Sequence, residues 1–370
     1  MNRASSCCLG TEAGVGREEL KEVLEQAIGS GPFERLLAAP GPVRAAHAAT
    51  PGHAFVAAAL ATAIEAPVLA IAHDPHAADV LAAGAVTFLG PDRVVRFPAW
   101  ESLPYEGISP APHVAGARAR SAHLLRGGTG PMVVVAPVLA AIQGLIPTLG
   151  DHEPIVLQAE TRLPPDALAE RLVSLGYSRV DVVEHRGEFA VRGGIVDLFP
   201  STSRRPVRLD YFGDDVESLR EFAPATQLST GQVARVEVYP CRELVVTEDV
   251  RRRADLALNQ YRGHYAGVLE RLAQGAAFEG MEQTVPLIYE RLPMLADLLP
   301  AGGWIVIGAA RRTADRAARI LEEADALAEA SSWPGPRAVR ELEAALGARQ
   351  RVELSDLTEG GAIDLGIHVW

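Results

Sequence analysis

EHRGEFAVRGGIVDLFPSTSRRPVRLDYFGDDVESLREF, running from Glu184 to Phe222, decides how the chain is read. Apolar and polar residues alternate along its short runs. Phe189 and Val191 oppose Ala190 and Arg192; Val207, Leu209 and Tyr211 oppose Arg208 and Asp210. Turn formers separate the runs, Pro200-Ser-Thr-Ser before one and Gly213-Asp-Asp after it. A period of two bounded by turns predicts an antiparallel meander. Gly193-Gly194 directly after Arg192 predicts a bulge or a close backbone approach. Such a sheet has an inner and an outer face, and Arg192, Arg208 and Arg220 must reach solvent or a partner.

Working outward, Pro164-Pro165 to Leu175 predicts a helix with Leu168, Leu172 and Leu175 inward, stopped by Gly176. Val233 to Tyr239 predicts a last strand, and Pro240 closes the unit. Beyond both flanks the rhythm changes to alternating strand and helix. On the N-terminal side, Arg17 to Ser30 predicts an amphipathic helix, and Ala45 to Glu65 an Ala-rich helical region starting near Thr50-Pro51. Val68–Ala72 is a wholly apolar run suited to a buried parallel strand. A helix at Ala77–Ala83, strands at Val94–Phe97 and Met132–Ala136, and a helix at Pro137–Leu145 follow. On the C-terminal side, Val250–Gln274 predicts one charged amphipathic helix, Gly303–Gly308 a buried strand and Ala314–Ala330 a helix. Arg351 to Trp370 alternates like a strand but has no evident partner. The pattern predicts an open parallel α/β sheet split by a small antiparallel, β-rich α+β domain.

The boundaries expected are 1–16 as a disordered N-terminus, 17–147 and 241–350 as the two parts of the α/β domain, 148–240 as the inserted domain, and 351–370 as a tail or linker. The 370 residues suffice for that many units and a sizeable core. No run of about twenty apolar residues exists, so no membrane span is expected. Met1–Gly16 lacks a basic-then-apolar leader pattern, and a cytoplasmic protein is expected. Cys7, Cys8 and Cys241 are too few and too badly spaced for a disulfide framework or a zinc site. The net charge of −12 disfavours non-specific DNA binding by the chain as a whole, while a local arginine patch stays open. Lys21 is the only lysine.

Several stretches together resemble one family. Phe97-Pro-Ala-Trp-Glu-Ser-Leu-Pro-Tyr-Glu-Gly-Ile-Ser-Pro110 does so, as do Gly176-Tyr177, Arg179, Gly187-Glu-Phe189, Arg192-Gly193, Asp197-Leu-Phe-Pro200 and Arg208-Leu-Asp-Tyr-Phe-Gly-Asp214. Phe278–Gln283 and Pro286–Pro293 add to them. The pattern resembles the N-terminal region of bacterial transcription-repair coupling factors and, more distantly, the excision-repair protein UvrB. The resemblance implies a UvrB-like α/β domain whose inserted domain docks UvrA. It implies a longer protein that displaces stalled RNA polymerase with an ATP-driven DNA translocase, so that RNA polymerase and DNA would be met only through domains missing here. An intramolecular role, with the meander masked by the rest of the longer chain, is a compatible reading. The long Tyr-rich hairpin with which UvrB clamps DNA is replaced here by a short loop after Pro110, which argues against damage clamping.

A phosphate loop needs Gly-x4-Gly-Lys-Ser/Thr, because the lysine neutralises phosphates that backbone N–H groups cradle. The turn Ala48-Ala-Thr-Pro-Gly-His-Ala-Phe-Val56 has no lysine. The expectation is a degenerate loop, no cofactor and no catalysis by this stretch; a UvrB-type ATP-using damage-recognition protein is the rival reading. His73 and His76 could be metal ligands or simply flank an Asp74 helix cap. Asp214, Asp215 and Glu217 could hold a cation or form a solvated turn. Trp100 and Tyr105 could stack on a base or pack their loop on the sheet, and Glu101 and Glu106 lack a partner for acid–base work. No catalytic or metal residue is therefore assigned. Arg179 and Arg192 read equally as interface or solvated strand positions from spacing alone. The resemblance implies that both contact UvrA, with Phe189 the aromatic between them. Ala190 stands where UvrB has a further arginine.

Overall fold

The computed structural model describes residues 12–128, 130–356 and 361–367. A helix, Glu12–Ile28, begins ahead of the expected Arg17; the rest of the segment expected to be disordered lies outside the described residues. Four strands follow: β1 (Val43–His47), β2 (Pro67–Ala72), β3 (Val94–Arg96) and β4 (Met132–Pro137). Eight more lie between β4 and the last part of the chain. They are β5 (Ile155–Gln158), β6 (Ser178–Arg179), β7 (Glu188–Arg192), β8 (Ile195–Leu198), β9 (Val207–Phe212), β10 (Asp215–Phe222), β11 (Ser229–Gln232) and β12 (Arg235–Val238). The last are β13 (Trp304–Ile307), β14 (Arg351–Ser355) and β15 (Ile363–Asp364).

Seven strands form a parallel sheet in the order β15-β1-β14-β13-β2-β4-β3. β2 is buried along its whole length, as a parallel strand covered on both faces must be. Its alternate residues enter opposite layers. Leu69 and Ile71 join one core with Val134, Ile305 and the 281–299 region; Val68 and Ala70 join the other with Val133, Val306 and the helix His53–Ile64.

A six-stranded sheet, β11-β10-β9-β8-β7-β6, holds the meander; only its edge pair β6–β7 is parallel. The helix Pro165–Ser174 supplies Leu168 and Leu172 to its inner face, against Phe189, Val196, Leu198 and Leu209. A two-stranded ladder, β5 with β12, adds Leu157 and Val238 to the same core.

Four expectations are corrected. Residues 45–47, read with the Ala-rich helical region, belong to the strand Val43–His47, which has neighbours on both sides, and the helix begins only at His53. Alanine's helix preference yields there to tertiary pairing. The stretch after Arg351 is no partnerless tail: β14 lies between β1 and β13. The strand expected at Val233–Tyr239 does not extend the meander; β12 leaves it and pairs with β5, while β11 takes the meander edge. Val250–Gln274 is two helices, Glu248–Ala257 and His264–Ala273, because Asn259-Gln-Tyr-Arg-Gly263 interrupts the apolar spacing.

Candidate functional site

The outer face of the six-stranded sheet is a ladder of charges. β7, β8, β9 and β10 place Ala190, Asp197, Arg208 and Arg220 side by side. The next row begins with Arg192, Ile195 and Asp210. Asp197, only 1% exposed, accepts from Arg208 Nε at 2.6 Å and Nη2 at 2.9 Å, and from Arg192 Nη2 at 2.8 Å. The two-pronged contact with Asp197 is the main reason the Arg208 guanidinium is held above its ordinary pKa. Arg220 Nη2 donates to Asp210 at 2.7 Å. Arg192 keeps 52% of its side chain in solvent, so a fork of donors stays on display beside the pairing.

Phe212 was not singled out in the sequence. It ends β9 on the face of Arg208 and Asp210, next to the Gly213 turn, and is 81% exposed. Ile195, directly opposite Arg192, is exposed too. The signal was present: positions 208, 210 and 212 share one face by parity, so a large apolar residue there cannot reach the core. An exposed aromatic beside an arginine is the composition of a protein-binding hot spot.

The other two predicted residues fall elsewhere. Phe189 is 0% exposed and packs with Leu168, Leu172, Val196 and Leu198, so its side chain offers nothing to a partner. Arg179 is exposed on the edge strand β6, in register with Phe189. Register partners share a face. Arg179 therefore sits on the side of Phe189, opposite the face of Arg192. Above Ala190 the outer face is closed by a small apolar cluster of Val180, Val183, Phe199 and Phe222.

A buried polar junction ties the helix Pro112–Gly127 and the loop before it to the segment just after β12. Arg118 of the helix Pro112–Gly127 ion-pairs with Glu243, and neither side chain touches solvent. Trp100 Nε1 donates to the same Glu243 oxygen at 2.8 Å, and Arg118 Nη1 donates to the Pro98 carbonyl at 2.9 Å. The Arg118 guanidinium also lies over the Phe97 ring, 4.4 Å from its centroid. Nearby, Glu282 accepts from the Ser109 hydroxyl, and burial pushes its carboxyl pKa up. Trp100 and Tyr105 thus pack the 97–110 loop; the Tyr105 hydroxyl accepts from the Ala338 N–H at 2.7 Å.

In the turn where a phosphate loop would sit, backbone donors are met by the chain itself, beside a cavity of about 380 Å³ lined by Thr50, Pro51 and His53. Ala48 N–H donates to Ser355 O, Ala49 N–H to Ile367 O at 2.9 Å, and Gly52 N–H to Ala49 O at 2.8 Å. Ile367 packs so closely on Gly52 that any Cβ there would collide with it. His53 is buried, its ring Nε2 3.1 Å from Ala48 O, and burial holds its pKa below the ordinary histidine value. Three backbone donors that would meet an anion are already used. Asp74 caps its helix by accepting from Ala77 N–H at 2.7 Å, and no cluster of three His, Cys, Asp or Glu side chains suited to a metal occurs among the described residues. No helix among them is long and apolar enough to cross a membrane.

A parallel α/β sheet interrupted by a separate antiparallel sheet with an arginine-bearing outer face defines a UvrB-like module, and residues 155–244 match the sequence model of the UvrB interaction domain. The chain is 35% identical to the transcription-repair-coupling factor of Mycobacterium bovis over 361 residues, 92% of this chain and 28% of that protein. It is 34% identical to the protein of the same name from Myxococcus xanthus over 65% of this chain and 21% of that one, and 31% identical to that of Escherichia coli over 58% and 19%. The chain belongs to the transcription-repair-coupling factors, and it spans about a quarter of the length of these relatives.

Proposed function

We propose that this chain is the recruitment module of a transcription-repair coupling factor, docking the excision-repair protein UvrA on the outer face of its six-stranded sheet. The observation that carries the reading is the exposed Arg192 guanidinium opposite exposed Ile195, with exposed Phe212 on the same face, within the stretch that matches the UvrB interaction domain. In this reading residues 148–240 are the docking domain and the parallel sheet is its scaffold. Removal of stalled RNA polymerase and ATP-driven movement on DNA belong to parts of the longer cytoplasmic protein outside these residues. The module itself is non-catalytic, because the turn at Ala48–Gly52 has no lysine and its N–H groups are engaged. Calorimetry with Mg-ATP is expected to give no binding heat at micromolar concentrations; a saturable signal overturns the non-catalytic reading.

The docking test is calorimetry of this chain against UvrA. An interfacial arginine that leaves a partner carboxylate unpaired when truncated is worth about 2 kcal/mol, roughly a thirtyfold weaker complex. Arg192→Ala should weaken binding by that amount. Its thermal midpoint should stay at the parent value, because Arg208 still holds Asp197 from two sides. Arg316→Ala, on the distant helix Ala310–Ala330, should change neither quantity. If Arg192→Ala binds UvrA like the parent, the face is wrongly assigned.

A further inference from the structure

A second surface gathers four arginines, three of them without an ion pair. A groove of about 610 Å³ lies between the edge of the parallel sheet and the turn after Pro200. Arg96 of β3, Arg120, Arg186 and Arg204 line it, and no aspartate or glutamate does. Arg96 is paired with Asp79, Nη1 to Oδ1 at 2.9 Å. Arg120, Arg186 and Arg204 make no ion pair with any carboxylate among the described residues. Arg186 is held in place by its Nε, which donates to Ser203 O at 2.9 Å, and by stacking over Phe199. Arg120 reaches the Tyr239 hydroxyl. In a chain of net charge −12, three guanidinium groups without an ion pair, gathered in a concavity whose lining holds no carboxylate, form a local field that selects anions.

The two walls are fixed relative to each other. Gly116 of the helix Pro112–Gly127 abuts Ser201 so closely that a Cβ would collide with its hydroxyl. Ser201 is itself held by Tyr177, whose hydroxyl accepts from Ser201 N–H at 3.0 Å and donates to Tyr239 O at 2.8 Å. The groove is therefore formed in advance, which lowers the ordering cost of filling it.

Its chemistry is mixed. Ala82, Val86 and Val94 give it an apolar floor, and no phenylalanine, tyrosine or tryptophan lines it. Single-stranded nucleic acid is usually gripped by stacking on several aromatic rings, of which this groove offers only the His113 imidazole. β3 is the edge strand of its sheet, the element beside which an extended peptide can lie. A peptide with carboxylates on one side and small apolar residues on the other matches rim and floor together, whereas a phosphodiester backbone leaves the floor unused.

We propose that this groove docks an acidic, extended segment of a partner protein, its carboxylates on Arg120, Arg186 and Arg204. The surface is separate from the Arg192 face, and the proposal does not rest on UvrA docking. The test is fluorescence anisotropy of this chain with a short fluorescein-labelled peptide of alternating Asp or Glu and Val or Ala. Binding should saturate at low salt and weaken as salt rises. Arg204 is exposed and makes no ion pair, so Arg204→Glu should weaken binding about tenfold or more with an unchanged circular dichroism spectrum. Arg192→Ala should bind the peptide like the parent. A peptide with Asn and Gln in place of the acids should not bind. The proposal falls if the acidic peptide fails to bind at low salt, or if Arg204→Glu binds it as well as the parent. It falls equally if labelled duplex DNA binds more tightly and displaces the peptide, since the groove would then be a phosphate site.

Discussion

On the outer face of the six-stranded sheet, Arg192 pairs with Asp197 while half of its side chain stays in water; at the junction below, Arg118 pairs with Glu243 and neither is wetted. The two regions use the same functional groups in opposite surroundings. Arg192 lies half in solvent, and Arg208 already holds the buried Asp197 from two sides, so Arg192 stays free to meet an incoming carboxylate. Sealed from water, the pair is weak evidence for net stability but costly to break, since a charge left alone has lost its hydration. The difference separates a surface for display from a fastening that holds the helix Pro112–Gly127 to the segment after β12.

Breaking the fastening should have the largest effect. Arg118→Ala leaves Glu243 buried without its guanidinium and removes the contacts to Pro98 and Phe97. A loss of about 3–5 kcal/mol is expected, visible as a large fall in the urea midpoint. An unchanged midpoint would mean that water enters the junction and the contrast with the outer face is false. Phe212→Ala is the next test, on the displayed side. An exposed phenylalanine adds little to folding, so the midpoint should hold, while UvrA binding should weaken about tenfold if Phe212 is an interface anchor. A fall in stability without a fall in binding would move Phe212 from the docking face to the fold.

Glu282→Gln should have the smallest effect and sharpens the comparison through pH. Burial raises the folded-state pKa of Glu282 above the unfolded carboxylate value of about 4.3. Below the unfolded value the carboxyl is protonated in both states, and its favourable contribution is fully present. That contribution is lost as the pH rises through the folded pKa. The glutamine variant lacks this ionisation, so its midpoint should gain on the parent's between pH 4 and pH 7 and not below. A constant difference across that range would show that Glu282 titrates normally and that the junction is wetter than its packing indicates.

The meander was readable because its evidence is local. Alternation within a few residues, with turn formers at Pro200 and Gly213, is enough to specify β7 to β10 and the outward parity of Arg192 and Arg208. The same parity exposes Phe212. Phe189 shows the opposite limit. Its alternation with Val191 was visible, yet only the helix Pro165–Ser174 above it made that face the inner one. Arg179 reads as a neighbour of Arg192 along the chain, but the parallel pairing of β6 with β7 sets it on the other side.

The sequence alone determined the α/β alternation, the antiparallel meander set within it, and the absence of lysine from the turn at Ala48–Gly52. All three are written in residue type or in short-range period. Tertiary structure alone decided that Val43–His47 is a strand, that residues 351–355 lie beside it, and that Ile367 closes the turn. The same is true of the pairing of Arg118 with Glu243 and of the gathering of Arg120, Arg186 and Arg204 around one groove. In each of these cases the partners are far apart in the chain. Neither period nor propensity carries information across such a separation, and burial and hydrogen-bond satisfaction over the whole fold select the outcome.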